Sequence, residues 1–301
     1  MKTLKWLLIG LATLVLLAFI GVGILLLAVD RGEYKQEIVE QVEKHTGRSL
    51  TINGDLDISL FPWIGISIGE LSMSNAPGFA DDPFVEARAV NVKVEVLPLL
   101  RRELRVDRVE VVDVALDLQR NDQGVNNWDD LTQSSESTGT IAGTTGTPAE
   151  TQNSPLAALA IGGVDVSNAR IRWRDASNGT DLVLRDFNLM IGEITLHDSF
   201  PVQMSFNLKN RVTDQRADLT LQSQASIDIQ NQRYQLVVER FTAEIKDKKA
   251  FTRTISAQFS TDILADLLAQ TVSLRRLEGQ IINAPLRGEF TVSQVATDPK
   301  V

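Results

Sequence analysis

The chain has 301 residues, of which 43% are hydrophobic and 23% are charged, a composition typical of a folded protein with a sizeable core. A formal net charge of -9 argues against nucleic acid as a partner, because neutralising phosphates requires clustered lysine and arginine. The absence of cysteine excludes disulfides, thiolate metal sites and a cysteine nucleophile.

The N-terminal region predicts a membrane anchor. Residues 6–29 contain no ionisable side chain, and at ~1.5 Å per helical residue this run reaches roughly 36 Å, enough to span a bilayer core. A cleaved signal peptide has a shorter apolar region, of about 7–15 residues. Lys2 and Lys5 precede the run, whereas the residues after it carry no net positive charge. We therefore expect a transmembrane anchor at residues 1–30, with a cytoplasmic N-terminus and an exported body, which lies in the periplasm of a Gram-negative cell.

A short helix is predicted directly after the anchor. Tyr34, Ile38, Val42 and His45 recur at helical spacing, and Gly47 follows them at the position of a helix C-cap. This pattern is typical of an amphipathic helix.

From residue 50 onward the apolar residues follow a two-residue period. In one run, valines alternate with polar residues, and these valines are Val90, Val92, Val94 and Val96. Such alternation is typical of an antiparallel strand with one buried face, and it recurs to the C-terminus. The sequence therefore predicts a mainly β fold.

One apolar pattern occurs twice. Apolar residues occupy two alternate positions, the two-residue period then shifts by one residue, and apolar residues occupy three further alternate positions. The copies are Val109, Val111, Val114, Leu116, Leu118 and Val164, Val166, Ala169, Ile171, Trp173. A shorter version is Ile66, Ile68, Leu71, Met73. Because side chains alternate between the faces of a strand, each slip predicts a bulge or a tight bend. We infer a repeated, strongly curved β-element; the alternative is an ordinary β protein with occasional slips.

The remaining segments complete the predicted domain organisation. Residues 132–155 are rich in Ser, Thr, Gly, Gln and Pro and predict a flexible loop. This loop separates a β region at residues 31–131 from its continuation at residues 156–301. Near the C-terminus, the leucines of residues 263–271 have helical spacing, which predicts a short helix or a loop.

No residue pattern predicts catalysis, a metal or a cofactor. The two histidines, His45 and His197, are too few for a metal cluster, and nothing in the spacing assigns His197 to a catalytic triad. Asp81-Asp82 and Asp129-Asp130 are adjacent acids of the kind usual in solvent-facing turns, whereas glycoside hydrolysis needs carboxylates opposed across a cleft. We therefore expect a protein that is not an enzyme.

The order and spacing of several motifs resemble the AsmA family of inner-membrane-anchored envelope proteins. After the anchor, these are Thr46-Gly47-Arg48, Gly54, Pro62, residues 66–75, Pro77-Gly78-Phe79, Val94, Leu97-Pro98-Leu99-Leu100, residues 106–118, Gly124, Asn127-Trp128 and Leu131. The resemblance implies an elongated, curved antiparallel sheet, similar to bridge-like lipid-transfer proteins, whose concave apolar face holds acyl chains. It also implies lipid traffic between the inner and outer membranes, with effects on outer-membrane protein assembly and lipopolysaccharide content. Many members of the family are longer than this chain.

The valine-rich strand faces have two interpretations, a closed core covered by a second sheet or helix and an open lipid-binding groove. The groove candidates are Val92, Val94, Val96, Val114, Leu116, Leu118, Ile171, Trp173, Leu189 and Ile191. Arg170, Arg172 and Arg174 alternate with two of these candidates and are expected on a solvated outer face.

Two functions follow from these interpretations. The first is a non-catalytic envelope biogenesis factor that binds phospholipid or another lipid and assists lipid transport or outer-membrane assembly. The second is a periplasmic structural or scaffolding module that binds other envelope proteins through an exposed sheet edge.

Overall fold

A computed structural model describes residues 31–59, 63–95, 105–131, 160–195, 198–247 and 254–293. The predicted anchor at residues 1–30 and the predicted loop at residues 132–155 lie outside these ranges. Within them, no helix has the length and apolar character needed to cross a membrane.

The predicted amphipathic helix is present as α1 (Arg31–Thr46). Gly47 ends it with a φ of 68°, a conformation that favours glycine, and its N–H donates to the Glu43 carbonyl at 2.8 Å. Ile38 and Val42 are half-buried on one side of the helix. His45 was expected on the same side but is exposed, because its Nδ1 lies 2.7 Å from the carbonyl oxygen of Gln41 on the outer surface.

The other described elements are fifteen strands of one sheet. Their bounds are β1 (Leu50–Ile52), β2 (Leu56–Ser59), β3 (Trp63–Ile68), β4 (Leu71–Met73), β5 (Val85–Glu95), β6 (Arg105–Arg120), β7 (Ala160–Ile161), β8 (Val164–Asp175), β9 (Thr180–Ile191), β10 (Phe200–Asn210), β11 (Arg216–Asp228), β12 (Arg233–Lys246), β13 (Ile255–Asp266), β14 (Thr271–Ile281) and β15 (Ala284–Ser293). The sheet is long, curved and unclosed, with the order β1-β4-β5-β6-β8-β9-β10-β11-β12-β13-β14-β15. In addition, β3 pairs with β2 and β5, and β7 pairs with β6.

One junction corrects the prediction of an antiparallel sheet. The strand β6 runs parallel to β7 and β8, whereas the other pairs are antiparallel. Alternation of side chains is the same in both pairings, so the sequence could not distinguish them. The parallel register places the two repeated sequences side by side, with Leu116 opposite Ile171 and Leu118 opposite Trp173.

The predicted phase slips are confirmed as local bends of β6 and β8. Asp113 has a φ of 51° and Asn168 a φ of 55°, and each residue lies at the slip of its copy. Aspartate and asparagine tolerate this left-handed conformation better than other non-glycine residues. The Asn168 amide donates to the Asp113 carboxylate at 2.5 Å, and Arg88 on β5 pairs with the same carboxylate.

The shorter copy of the pattern is divided between two strands, because β3 ends at Ile68 and β4 begins at Leu71. Between the two strands, the backbone of Gly69 passes close to that of Gly54. A Cβ at Gly54 would lie 2.2 Å from the backbone nitrogen of Glu70. Glycine is therefore required at residue 54, where two backbones approach closely.

A short helix or a loop was expected at residues 263–271. This expectation was wrong for residues 263–266, which belong to a strand. The strand β13 continues through Asp266, and a tight turn at residues 267–270 leads into β14. The helical spacing of the leucines is accidental, because Leu264 belongs to the strand while Leu267 and Leu268 belong to the turn.

The described elements form a single layer. The substantial contacts of each strand are with its sheet neighbours, and α1 contacts β1 and β2. Among the described residues, no second sheet or helix therefore covers the strands from β9 to β15, which argues against the closed-core interpretation there.

Candidate functional site

Strand register divides the side chains of the sheet between two faces, because directly paired residues point to the same side. One face, here called the apolar face, carries mainly aliphatic, aromatic and small residues. From β5 to β15 its members include Val92, Val94, Val109, Val111, Val114, Leu116, Leu118, Val164, Val166, Ile171, Trp173, Leu182, Leu184, Phe187, Leu189, Ile191, Met204, Phe206, Leu208, Leu219, Leu221, Leu236, Phe241, Phe259, Ile263, Leu274, Leu286 and Phe290.

Nine of the ten predicted groove residues lie on the apolar face, and Val96 lies outside the described residues. Leu116 and Leu118 are paired with Ile171 and Trp173, which brings the two repeated sequences together. Leu189 and Ile191 extend the same surface onto β9.

The apolar face continues well beyond these candidates, across β10 to β15. Ring contacts mark this continuation: the ring centroids of Phe187 and Phe206 are 6.3 Å apart, and those of Phe241 and Phe259 are 4.6 Å apart. The two-residue period in the sequence of each strand was the signal that could have identified these residues.

Two buried hydroxyl groups on the apolar face are directed into the backbone. Ser223 donates to the Val202 carbonyl at 2.9 Å, and Thr261 donates to the Arg275 carbonyl at 2.9 Å. Both residues are buried. Because their hydrogen-bonding groups are occupied, they do not interrupt the apolar character of the surface.

The opposite face, here called the polar face, carries charged and amide side chains. Arg172 makes a two-bond contact with Asp181, at 2.8 and 3.1 Å, and Arg174 pairs with Asp117. The Arg172 hydrogen bonds lower the pKa of Asp181 below its usual range. The predicted placement of the arginines is confirmed, although Arg172 and Arg174 bind carboxylates as well as facing solvent.

The bends of neighbouring strands are joined on the polar face by a row of polar contacts. The Asn188 side chain accepts from the backbone N–H of Asn168 at 3.0 Å, and its amide lies 3.5 Å from the Ser205 hydroxyl. Ser205 is opposite Thr220, whose hydroxyl contacts that of Thr242. This row crosses the sheet where its strands bend, so it supports the curvature from outside the apolar face.

A buried arginine joins the segment between α1 and β1 to the segment that follows β6. The Arg48 side chain is fully buried, and its guanidinium donates to both carboxylate oxygens of Asp130, at 2.9 and 2.5 Å. It also lies 4.6 Å from the ring centroid of Phe84. The Arg48 hydrogen bonds lower the pKa of Asp130. Asp130 was expected in a solvent-facing turn, but it is the counter-charge of a buried cation.

The side chain of Asn127 forms hydrogen bonds with the backbone of β6 where that strand extends past the end of β5. Its side chain accepts from the Gln119 N–H at 2.9 Å and donates to the Asp117 carbonyl at 2.8 Å, so one amide replaces a neighbouring strand. The same amide donates to Asn75 at 2.8 Å, and the Asn127 carbonyl accepts from Arg48. Several motif residues named above therefore meet in one polar cluster, which holds the first strands in place.

The cluster also closes one end of the apolar face. Trp128, next to Asn127, lies against Trp173 with their ring centroids 5.5 Å apart. Within the described residues, no group of three or more metal-binding side chains occurs. The arrangement offers an apolar surface on a fixed scaffold.

The described residues define a mainly β protein built on one long, curved, unclosed sheet with an apolar and a polar face. Residues 1–277 match the AsmA family, and the chain belongs to that family. It is similar to Protein AsmA of Escherichia coli (strain K12), with 29% identity over 109 residues, which cover 36% of this chain and 17% of that relative. No solved structure matches the chain. Membership of the family supports a role in envelope biogenesis.

Proposed function

We propose that this protein is a non-catalytic envelope factor that binds lipid acyl chains on its apolar face and thereby assists lipid transport or outer-membrane assembly. The observation that carries this proposal is the continuous apolar face from β5 to β15, over whose larger part, from β9 to β15, no second sheet or helix packs among the described residues.

The size of this surface favours a ligand. From β5 to β15 there are nine inter-strand spacings along the sheet, which at about 4.8 Å each give roughly 43 Å. Contiguous apolar patches on monomeric proteins rarely exceed a few hundred Å², and each Å² left in water costs about 25 cal/mol. A ligand that covers the apolar face would remove this cost.

The chemistry of the surface favours acyl chains. The residues of the apolar face named above carry no charge, and Ser223 and Thr261 use their hydroxyl groups internally. Most of these side chains are half-buried, although no second sheet or helix covers the strands from β9 to β15 among the described residues. Such a surface recognises hydrocarbon and leaves the lipid headgroup in water at the rim of the groove.

The scaffolding alternative is supported by a different observation. Within the described residues, β15 pairs on one side only, with β14, and the other edge of the strand is available for another chain. A scaffold of this kind would bind proteins through its edge and would not need the apolar face.

Adjacent residues of β11 provide a matched test, because Leu221 is on the apolar face and the exposed Gln222 is on the polar face. The full chain and its Leu221→Asp and Gln222→Asp variants are purified, and bound lipids are extracted and measured by mass spectrometry. We expect lipid with the parent chain and with Gln222→Asp, and a large loss with Leu221→Asp.

Circular dichroism establishes whether the Leu221→Asp variant is folded. In an open groove the new carboxylate reaches water, whereas in a closed core an unpaired buried charge would unfold the protein. A folded Leu221→Asp variant with undiminished lipid would contradict the proposal, as would a parent chain that carries no lipid.

The same proposal places the body of the protein on the exported side of the inner membrane. This placement depends on the apolar run at residues 6–29 and the lysines that precede it. Fractionation should recover the chain with the inner membrane, and external protease should digest the body only after the outer membrane is opened. A soluble mature form that starts near residue 30 would show a cleaved signal peptide instead.

A further inference from the structure

Two neighbouring turns on one rim of the sheet present large apolar side chains to solvent. Ile229 is in the turn between β11 and β12, and Leu267 and Leu268 are in the turn between β13 and β14. Their exposed fractions are 43%, 53% and 65%. The Leu267 N–H donates to the Gln232 carbonyl at 3.1 Å, so the two turns form one surface, here called the turn patch.

The turn geometry does not require these apolar residues. In both turns an aspartate at the end of the strand accepts a backbone N–H, as in Asp228 with Asn231 at 3.0 Å and Asp266 with Ala269 at 2.8 Å. The last turn residue is left-handed in both, with φ of 48° at Gln232 and 49° at Gln270.

The turn at residues 176–179, on the opposite rim, has the same length and also follows an aspartate, but it carries no large apolar side chain. Asp175 accepts the Ser177 N–H at 2.9 Å, and Gly179 has a φ of 72°. Its apex residues are Ala176, Ser177 and Asn178. Because a four-residue turn after an aspartate forms here without large apolar side chains, the leucines of the turn patch are not explained by turn formation.

Five of the eight backbone N–H groups in the two turns, and an ion pair beside them, have partners within the protein. Arg233 donates to Asp266 at 2.8 Å and thereby joins the two hairpins. The backbone N–H groups that donate within the two turns belong to Asn231, Gln232, Leu267, Ala269 and Gln270. Satisfied backbone groups are a requirement for entry into lipid, where unpaired ones are costly. The charged side chains that line the pocket beside the two turns are Asp228, Arg233, Asp266 and Arg275, two acids and two bases, so their net charge is zero.

We propose that the turn patch inserts into the interfacial region of a lipid bilayer. The patch is continuous with the apolar face, since Ile227, Tyr234 and Ala265 are paired across β11, β12 and β13 directly beside the turns. Its protruding apexes and neutral surroundings fit the interface of a zwitterionic membrane. This inference goes beyond lipid binding on the apolar face and does not depend on it.

The absence of native cysteine allows one dye to be placed at one residue. Ala269→Cys labels the turn patch without removing its leucines, and Asn178→Cys labels the equivalent position on the opposite rim. Each full-length variant is labelled with an environment-sensitive fluorophore and reconstituted in phosphatidylcholine vesicles whose acyl chains carry a quencher. We expect quenching at residue 269 and little at residue 178.

A variant of the patch separates insertion from proximity to the membrane. In the Ala269→Cys background, Leu267→Asn and Leu268→Asn together should abolish quenching, because burial of each leucine changes the insertion equilibrium by about tenfold or more. Circular dichroism verifies that this variant is folded. Lipid on the apolar face, measured by extraction, should be retained, so the two proposals can fail separately.

Four outcomes would overturn the inference: no quenching at residue 269, equal quenching at residue 178, quenching that survives the double substitution, or quenching that appears only when phosphatidylglycerol is added. A fluorescence shift without vesicles that grows with protein concentration would assign the patch to a second copy of the chain and would also contradict it.

Discussion

Asn127→Ala should destabilise the protein strongly without removing any apolar surface. The Asn127 side chain is fully buried and bonds the Gln119 N–H, the Asp117 carbonyl and the Asn75 side chain. Alanine leaves the two backbone groups of β6 without partners at a buried edge, and each unsatisfied group costs about 1–3 kcal/mol. We therefore expect a loss of about 2–6 kcal/mol from a total stability of ~5–15 kcal/mol.

The measurement is urea unfolding of the full chain in detergent, followed by the tryptophan fluorescence that includes the Trp128 and Trp173 pair. The control is Asn231→Ala, since Asn231 also bonds a neighbouring side chain, Asp228, but is exposed. The control should cost less than about 1 kcal/mol. If Asn127→Ala is no more destabilising than the control, the amide of Asn127 does not replace a strand beside β6.

Three further predictions concern turn geometry, pH and the central segment. Gln270 has a φ of 49°, so Gln270→Gly should retain or raise the free energy of unfolding, whereas Gln270→Val should lower it by about 1–2 kcal/mol; equal midpoints in urea would contradict the assigned backbone. Asp130 has a pKa lowered by Arg48, so its contribution to stability is present above its unfolded pKa of about 3.9 and is lost as the pH falls through the folded value. The urea midpoint of the parent chain should therefore drop on acidification below about pH 4, and the midpoint of Asp130→Asn should drop by less. Identical pH profiles would show that the ion pair contributes nothing to stability. Deleting residues 133–154, which contain few apolar side chains, should leave the thermal midpoint nearly unchanged, and loss of folding would show that this segment is packed.

The curvature of the sheet was predictable from the sequence because it depends on a local rule. A slip in a two-residue period cannot occur in a regular strand, and the residues at the two slips, Asp113 and Asn168, are types that tolerate a positive φ. The apolar face was predictable for the same reason, since alternation within one strand determines which side chains share a side. The alternation recurs to the C-terminus, and it continues the apolar face beyond Ile191, the last of the predicted groove residues.

The pairing of distant segments was not predictable. Arg48 and Asp130 are separated by 82 positions, and neither residue type nor spacing marks them as partners. The parallel junction of β6 and β8 follows from the path of the chain between them, which the periodicity of either strand does not record. The buried polar cluster could therefore be identified only from the structure, whereas the amphipathic strands could be predicted from the sequence.

The most direct test of lipid binding is photo-crosslinking in cells with a photoreactive amino acid on each face of the sheet. Leu184, Leu219 and Phe259 are positions on the apolar face, and the exposed residues Arg185, Thr220 and Gln258 next to them are on the polar face. The lipid-groove account predicts lipid adducts at the first three positions and none at the other three. Adducts with proteins alone at the apolar positions, or lipid adducts equally on both faces, would contradict it.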